Sequence, residues 1–211
     1  LLYAQEIVVN TDLWGLTRHH IGLQDVKLTT IRAFVKRPTN DSTFNFQYIL
    51  DAFATPDPEI IKPADSLAEP WTYSVGTLEL TDSHLVFQDN YDQQDADLVV
   101  GMLKVKMESL DLSNSVVRFD QVLLTNTQAN IRMTSNRRPA NSTGPESATN
   151  LYDIGFNEVI LENISGRYVE ETLGQVIDLD LGRALFRSDD INLKKQRLWL
   201  DKVEVINTFC S

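Results

Sequence analysis

Apolar and polar residues alternate along most of the chain, the period of a strand with one buried face, but the phase slips at matching places. Leu98 and Val100 share one parity, and after Gly101 the apolar set moves to Leu103, Val105 and Met107, then to Leu110 and Leu112. It resumes at Val117 and Phe119, shifts to Val122 and Leu124, and ends on Ala129, Ile131 and Met133. A slip of one residue turns every side chain to the opposite face, so such a strand must bulge, bend or turn to keep its apolar set on one side. Gly101 and Gly182 stand where a bulge is easiest. The pattern predicts short strand legs joined by corners.

The slips recur because the chain repeats. A shift of 81 aligns residues 98–127 with 179–208 without a gap, and Leu98, Gly101, Leu112, Asp120, Val122, Asn126 and Thr127 meet identical residues. Upstream, with a small length change, Tyr73-Ser74-Val75-Gly76 answers Tyr152-Asp153-Ile154-Gly155, and Phe87 answers Tyr168. A shift of 96 finds another copy, placing Trp14 and Leu16 on Leu110 and Leu112, Val26 and Leu28 on Val122 and Leu124, and Val35 on Ile131. That copy starts mid-unit, as in a fragment of a longer array.

The expected organisation is a partial first repeat with a short helix over residues 1–54, a linker 55–70, a second repeat 71–133, a linker 134–150 and a third repeat 151–211. The expected fold is mostly β: an elongated, curved repeat sheet, solenoid-like or a half-open groove, with one short helix near 45–54. A closed barrel is the alternative. The helix rests on Phe46, Ile49, Leu50 and Phe53 at i, i+3, i+4 and i+7, with Asn45 as cap and Pro56 and Pro58 beyond its end. Two readings of it are open, a plug packed under the sheet and an amphipathic contact for lipid or a partner. Trp71 reads as a buried anchor.

Hydrophobic residues at 42% and charged residues at 23% describe a chain that folds in water. A net charge of −11, with only Arg137/Arg138, Lys194/Lys195 and Lys104/Lys106 approaching basic clusters, argues against nucleic-acid binding and against electrostatic docking on anionic lipid. Cys210 is the single cysteine, so no internal disulfide forms. No apolar run approaches the roughly 18–20 residues of a membrane helix, and no signal peptide opens the chain. Any anchor or export signal is expected outside residues 1–211.

Candidate chemistry is sparse. His19 and His20 are adjacent and on a strand point apart, which disfavours shared metal ligation, and Asp189 and Asp190 face apart likewise. His84 has no sequence-local acid or nucleophile. Asp89, Asp92, Asp95 and Asp97 offer hard oxygen ligands but lack the glycine and terminal glutamate of a helix-loop-helix calcium site, and the equivalent stretch keeps only Glu170 and Glu171. A solvated hairpin tip is the expectation there. With no phosphate cradle or paired cysteines, the chain is expected to be non-enzymatic, with no catalytic residue, metal or cofactor.

Residues 12–16 (DLWGL), 21–28 (IGLQDVKL) and 42–53 (STFNFQYILDAF) resemble the N-terminal part of TamB-type translocation and assembly proteins, within the AsmA-like superfamily. The segments from Val75-Gly76 onward are similar to the β repeats that follow in that family. The resemblance implies the periplasm of a Gram-negative cell, an inner-membrane anchor in the full-length protein, and a long sheet curled around an apolar groove. It implies outer-membrane biogenesis, phospholipid transport and partnership with an outer-membrane barrel assembly protein through segments other than these.

On this reading Leu78, Leu80, Val122, Leu124, Leu161, Val203 and Val205 line a groove for phospholipid acyl chains, and ordinary core is the competing role for them. The rival function is a structural or protein-binding β spacer that assists outer-membrane protein assembly through its sheet edges.

Overall fold

A computed structural model describes residues 2–39, 43–47, 72–111, 116–134, 153–188, 190–192 and 197–211. The alternating segments are strands β1 (Leu2–Asp12), β2 (His20–Arg37), β3 (Thr72–Asp89), β4 (Gln94–Asp111), β5 (Val116–Met133), β6 (Asp153–Glu170), β7 (Gln175–Arg187), β8 (Asp190–Asn192), β9 (Arg197–Trp199) and β10 (Lys202–Cys210). Eight form one sheet in the order β1-β2-β3-β4-β5-β6-β7-β10, while β8 and β9 make a ladder of their own. β1 and β10 each have a single neighbour, so the sheet is open and the closed barrel is set aside.

β3-β4-β5 and β6-β7-β10 are antiparallel meanders, and β1-β2 is the matching antiparallel pair of the partial first unit. Units join through parallel pairs, β2 with β3 and β5 with β6. Parallel neighbours cannot be closed by a tight turn and need a long crossover. The two polar connectors of the sequence fall at these two junctions.

Register corrects one alignment. Leu23 pairs with Val75 and its repeat equivalent Phe119 with Phe156, so Val75 corresponds to Phe156 and Tyr73 to Ile154. The shift of 81 therefore runs unbroken from β3 through β10. The matching Tyr-Ser-Val-Gly and Tyr-Asp-Ile-Gly strings are two residues out of step, because pairing follows the apolar rows rather than local identity.

The corners are rows that cross the whole sheet. Thr30, Asp82, Asn126, Asn163 and Asn207 all have φ between 49° and 53°. They occupy one transverse line with Gly101 and Gly182, where every ladder skips one pair and the β2–β3 ladder two. Asn and Asp enter the left-handed region at least cost among residues with a side chain. The bulge expected at the two glycines is thus corrected in detail: their neighbours carry the left-handed turn, and the glycines make room for it.

A Cβ on Gly101 would sit 2.7 Å from Asn126 Cβ and O, and one on Gly182 2.8 Å from the same atoms of Asn207. Hydroxyls of Ser83, Thr127 and Thr208, one residue past the bend, donate to the carbonyls of Thr81, Thr125 and Ile206 at 2.9, 3.2 and 3.3 Å, which satisfies acceptors at the kink. A second irregular row lies six residues earlier, at Gln24, Gly76, Asp120 and Asn157. β1 to β6 thereby divide into lower, central and upper legs, while β7 and β10 keep only the central and upper ones.

The core is thin. Among the described residues the buried hydrophobics are Ile31, Val100, Val105, Leu181, Ala184 and Leu185. Ile31, Val100 and Leu181 share the row just above the first bend with buried Ser83 and Thr127, where curvature crowds the side chains.

In the third unit the lower leg keeps the pairing of the second, Ile191 with Leu198 where Leu110 meets Val117. It forms a separate ladder beyond Ser188, whose N–H donates to Asn157 O at 3.0 Å. Of the helix expected near 45–54, residues 48–54 lie outside the described residues; residues 45 and 46 form a turn that leads into a helical residue at Gln47, whose N–H donates to Phe44 O at 2.9 Å. Phe46 stacks on Phe44 at 5.4 Å and Phe44 meets Phe87 at 5.8 Å, so the stretch just before the expected helix touches the sheet through Phe44. Trp71 and residues 55–70 and 135–150 also lie outside the described residues.

Candidate functional site

In the central leg, residues paired in register share a face, and two rows of one face are apolar on every strand. One row runs Val9, Val26, Leu78, Val105, Val122, Val159, Phe186, Val203. The next runs Ile7, Leu28, Leu80, Leu103, Leu124, Leu161, Ala184, Val205. All seven residues singled out from the sequence, Leu78, Leu80, Val122, Leu124, Leu161, Val203 and Val205, fall in these two rows. Sequence reasoning passed over the other nine, although the shift of 96 already equates Val26 and Leu28 with Val122 and Leu124.

With strands about 4.8 Å apart, seven spacings give a band roughly 34 Å long. It is interrupted at neither parallel junction. Leu78, Leu80, Val122, Leu124 and Leu161 are half-buried, and Val203 and Val205 are 54% and 52% exposed. Val105 and Ala184 are the buried members of the band, and its other described members are half-buried or exposed.

The reverse face of the same leg carries charge. Lys104 pairs with Glu79 at 3.4 Å, Arg183 with Glu162 at 3.3 Å, and Glu158 accepts from Gln121 at 2.6 Å and Arg187 at 2.7 Å. The hydrogen bond from Gln121, then that from Arg187, holds the Glu158 carboxyl below the usual glutamate range. The reverse face thus mixes ion pairs with a short apolar run, Leu123, Ile160 and the buried Leu185, whereas the band face is hydrocarbon on every strand.

A hollow of about 580 Å³ lies in the upper leg over Phe34, Val86, Asp97, Asn130, Arg132 and Arg167. Its cations are already engaged, Arg132 with Glu171 at 2.6 Å and Arg167 with Asp178 at 3.5 Å. The band carries the stronger case, because it is chemically uniform over eight strands whereas the hollow mixes apolar floor with satisfied ion pairs.

The acidic hairpin keeps the solvated tip expected of it at Asp92, Asp95 and Asp97 but not at Asp89. Asp89 is only 3% exposed, and Arg37 donates to it through Nε at 2.8 Å and also pairs with it and with Asp92 through Nη2. Asp89 Oδ1 accepts the N–H groups of Tyr91 and Asp92 at 3.0 and 3.1 Å, which shapes the turn. Arg37, followed by the turn amides, holds the Asp89 carboxyl below its ordinary range. The guanidinium also lies over the rings of Phe44 and Tyr91, at 4.8 and 5.0 Å.

His84 Nε2 meets Asp97 at 3.0 Å within one hairpin, on an open face, and His20 is held by Thr72 and Ser74, each at 2.9 Å. Among the described residues no three His, Cys, Asp or Glu side chains converge as metal ligands. No helix of the described residues is long and apolar enough to cross a membrane. No family model, curated protein or solved structure matches this chain.

Proposed function

We propose that this chain is a non-enzymatic module that carries phospholipid acyl chains along the central apolar band. The observation behind it is the band itself: two hydrocarbon rows unbroken over eight strands, half-buried to exposed over most of their length among the described residues, with ion pairs on the opposite face. Each methylene transferred from water to such a surface contributes about 0.8 kcal/mol. Eight methylenes of one acyl chain would gain roughly 6 kcal/mol, enough to offset much of the cost of leaving a bilayer.

The resemblance of residues 12–53 to TamB-type proteins supports the setting. The chain would serve as a periplasmic part of an envelope-biogenesis protein anchored in the inner membrane, and other segments would meet the outer-membrane barrel partner. The rival, a spacer that assists outer-membrane protein assembly, draws its support from β1 and β10, which among the described residues each have one strand neighbour.

Photoreactive side chains at Leu80 and Leu124, compared with Lys104 on the reverse face, separate the two readings in cells. Phospholipid adducts at 80 and 124 but not at 104 are expected. Native mass spectrometry of a lipid-free protein, together with absence of adducts at the band positions, would overturn the proposal.

A further inference from the structure

We infer that the outer edge of β10 is a docking site for one more strand of the β6 kind, entering parallel from another repeat unit with an Asn or Asp opposite Asn207. The inference does not rest on lipid binding. It comes from comparing three equivalent strands, β2, β5 and β10, each the last of its unit. The first two are covered by parallel strands, β3 and β6. The third has no strand on its outer side among the described residues.

β10 is already shaped for that neighbour. Asn207 has φ 51°, the same as Asn126, whose outer side is covered, and the Thr208 hydroxyl repeats the bond of Thr127 to the carbonyl two residues earlier. The bend answers Gly182 of β7, and it leaves the outer backbone of β10 in step with that of β5 where β6 pairs. Thr127 is 3% exposed under its parallel neighbour, whereas Thr208, Val203, Val205 and Phe209 are exposed. Edges are ordinarily blunted by charge, and in β10 only Lys202 and Glu204 supply any.

The two existing junctions define the missing strand. Both place a left-handed acid or amide, Asp82 or Asn163, beside the bend residue, and apolar pairs, Leu78 and Leu80 or Val159 and Leu161, beside the band. Charge then favours the β6 pattern over the β3 pattern. Glu158 would lie beside Lys202 and Ile160 beside Glu204, whereas a β3-like strand would set Glu79 against Glu204.

The native thiol reports the register. Ala129 pairs with Gly166, and Cys210 is the equivalent of Ala129, so the docked strand puts its residue 166 beside Cys210. Aligned strands bring Cα atoms within the roughly 4.4–6.8 Å a disulfide spans. If the same bend residues met in antiparallel fashion, Cys210 would face residue 160 instead.

The test uses the 211-residue chain and a soluble carrier bearing residues 153–170 as a displayed strand, under mild oxidation. Gly166→Cys in the displayed strand is expected to form the disulfide with Cys210 at least tenfold faster than Ile160→Cys. Asn163→Val added to Gly166→Cys is expected to remove that advantage, and Cys210→Ser to abolish the product. Equal or faster reaction of Ile160→Cys, or a Gly166→Cys rate no higher than that of a scrambled strand, would overturn the inference. The lipid adducts at Leu80 and Leu124 are read separately, so either idea can fail alone.

Discussion

The two parallel junctions share one backbone and differ in their chemistry. At the upper end of β2 and β3, Arg37 and Asp89 face each other in register, and Asp92, Tyr91 and Phe44 gather round the guanidinium. At the matching place between β5 and β6 stand Met133 and Glu170. Tyr168 Oη lies 3.2 Å from Met133 Sδ and 3.3 Å from Glu170 Oε2, and Glu170 Oε1 is buried without a partner among the described residues. The cation has moved one residue, to Arg132, and pairs with the more exposed Glu171.

The bend row crosses both junctions, skipping two pairs between β2 and β3 and one between β5 and β6. Ile31 N–H donates to Ser83 Oγ at 3.1 Å in one, and Asn163 Nδ2 to Asn126 Oδ1 at 3.1 Å in the other. Register is therefore held by bends and apolar rows, while the ion pair is a local addition to stability. That follows from their energetics: a one-residue slip would turn a whole apolar face to water, whereas the loss of one pair affects one place.

The largest effect is expected at the charged junction. Arg37→Met leaves Asp89 buried without its cation and should cost about 3 kcal/mol, read as a lower urea midpoint. Adding Asp89→Asn should recover most of that loss. Because Arg37 lowers the folded-state pKa of Asp89, its contribution is complete above the unfolded value of 3.8 and is lost as pH falls through the folded one. The stability gap between the native chain and the double variant should accordingly narrow on acidification below about pH 4, and a gap independent of pH would remove the pair from the account.

Next comes the bend itself. Gly101→Ala forces a methyl group against Asn126 and should cost about 2 kcal/mol, whereas Gly166→Ala, whose nearest neighbour is Ala129 O at 3.8 Å, should be neutral or stabilising. Equal melting shifts for the two would show that the bend tolerates a side chain. The smallest effect belongs to the second junction, where Glu170→Met removes a buried acid that lacks a cation and should raise stability by about 1 kcal/mol, measured by denaturant titration. A loss of similar size would mean that Glu170 has a partner of its own.

Much of the architecture was legible in the residues. Period-two alternation named the strands, and the parity slips at Gly101 and at Val117 to Val122 located the legs. The seven residues proposed for a groove fell on one face because the alternation within a leg is strict. The left-handed residues were less visible, although Asn126 and Asn207 recur at the same place and Asn is the side-chain residue most at ease there. Nothing local marked the burial of Asp89, since Arg37 reaches it from 52 positions away.

Sequence by itself determined the period of the strands, the copies and the places where the chain must bend, because these depend on each residue's neighbours along the chain. Which strands lie parallel, the two-residue correction in β3 and β6, and the merging of sixteen separate residues into one band were decided only by the tertiary structure. The reason is physical. Alternation fixes what a strand turns to each side, but only hydrogen bonding between distant strands fixes which sides become continuous.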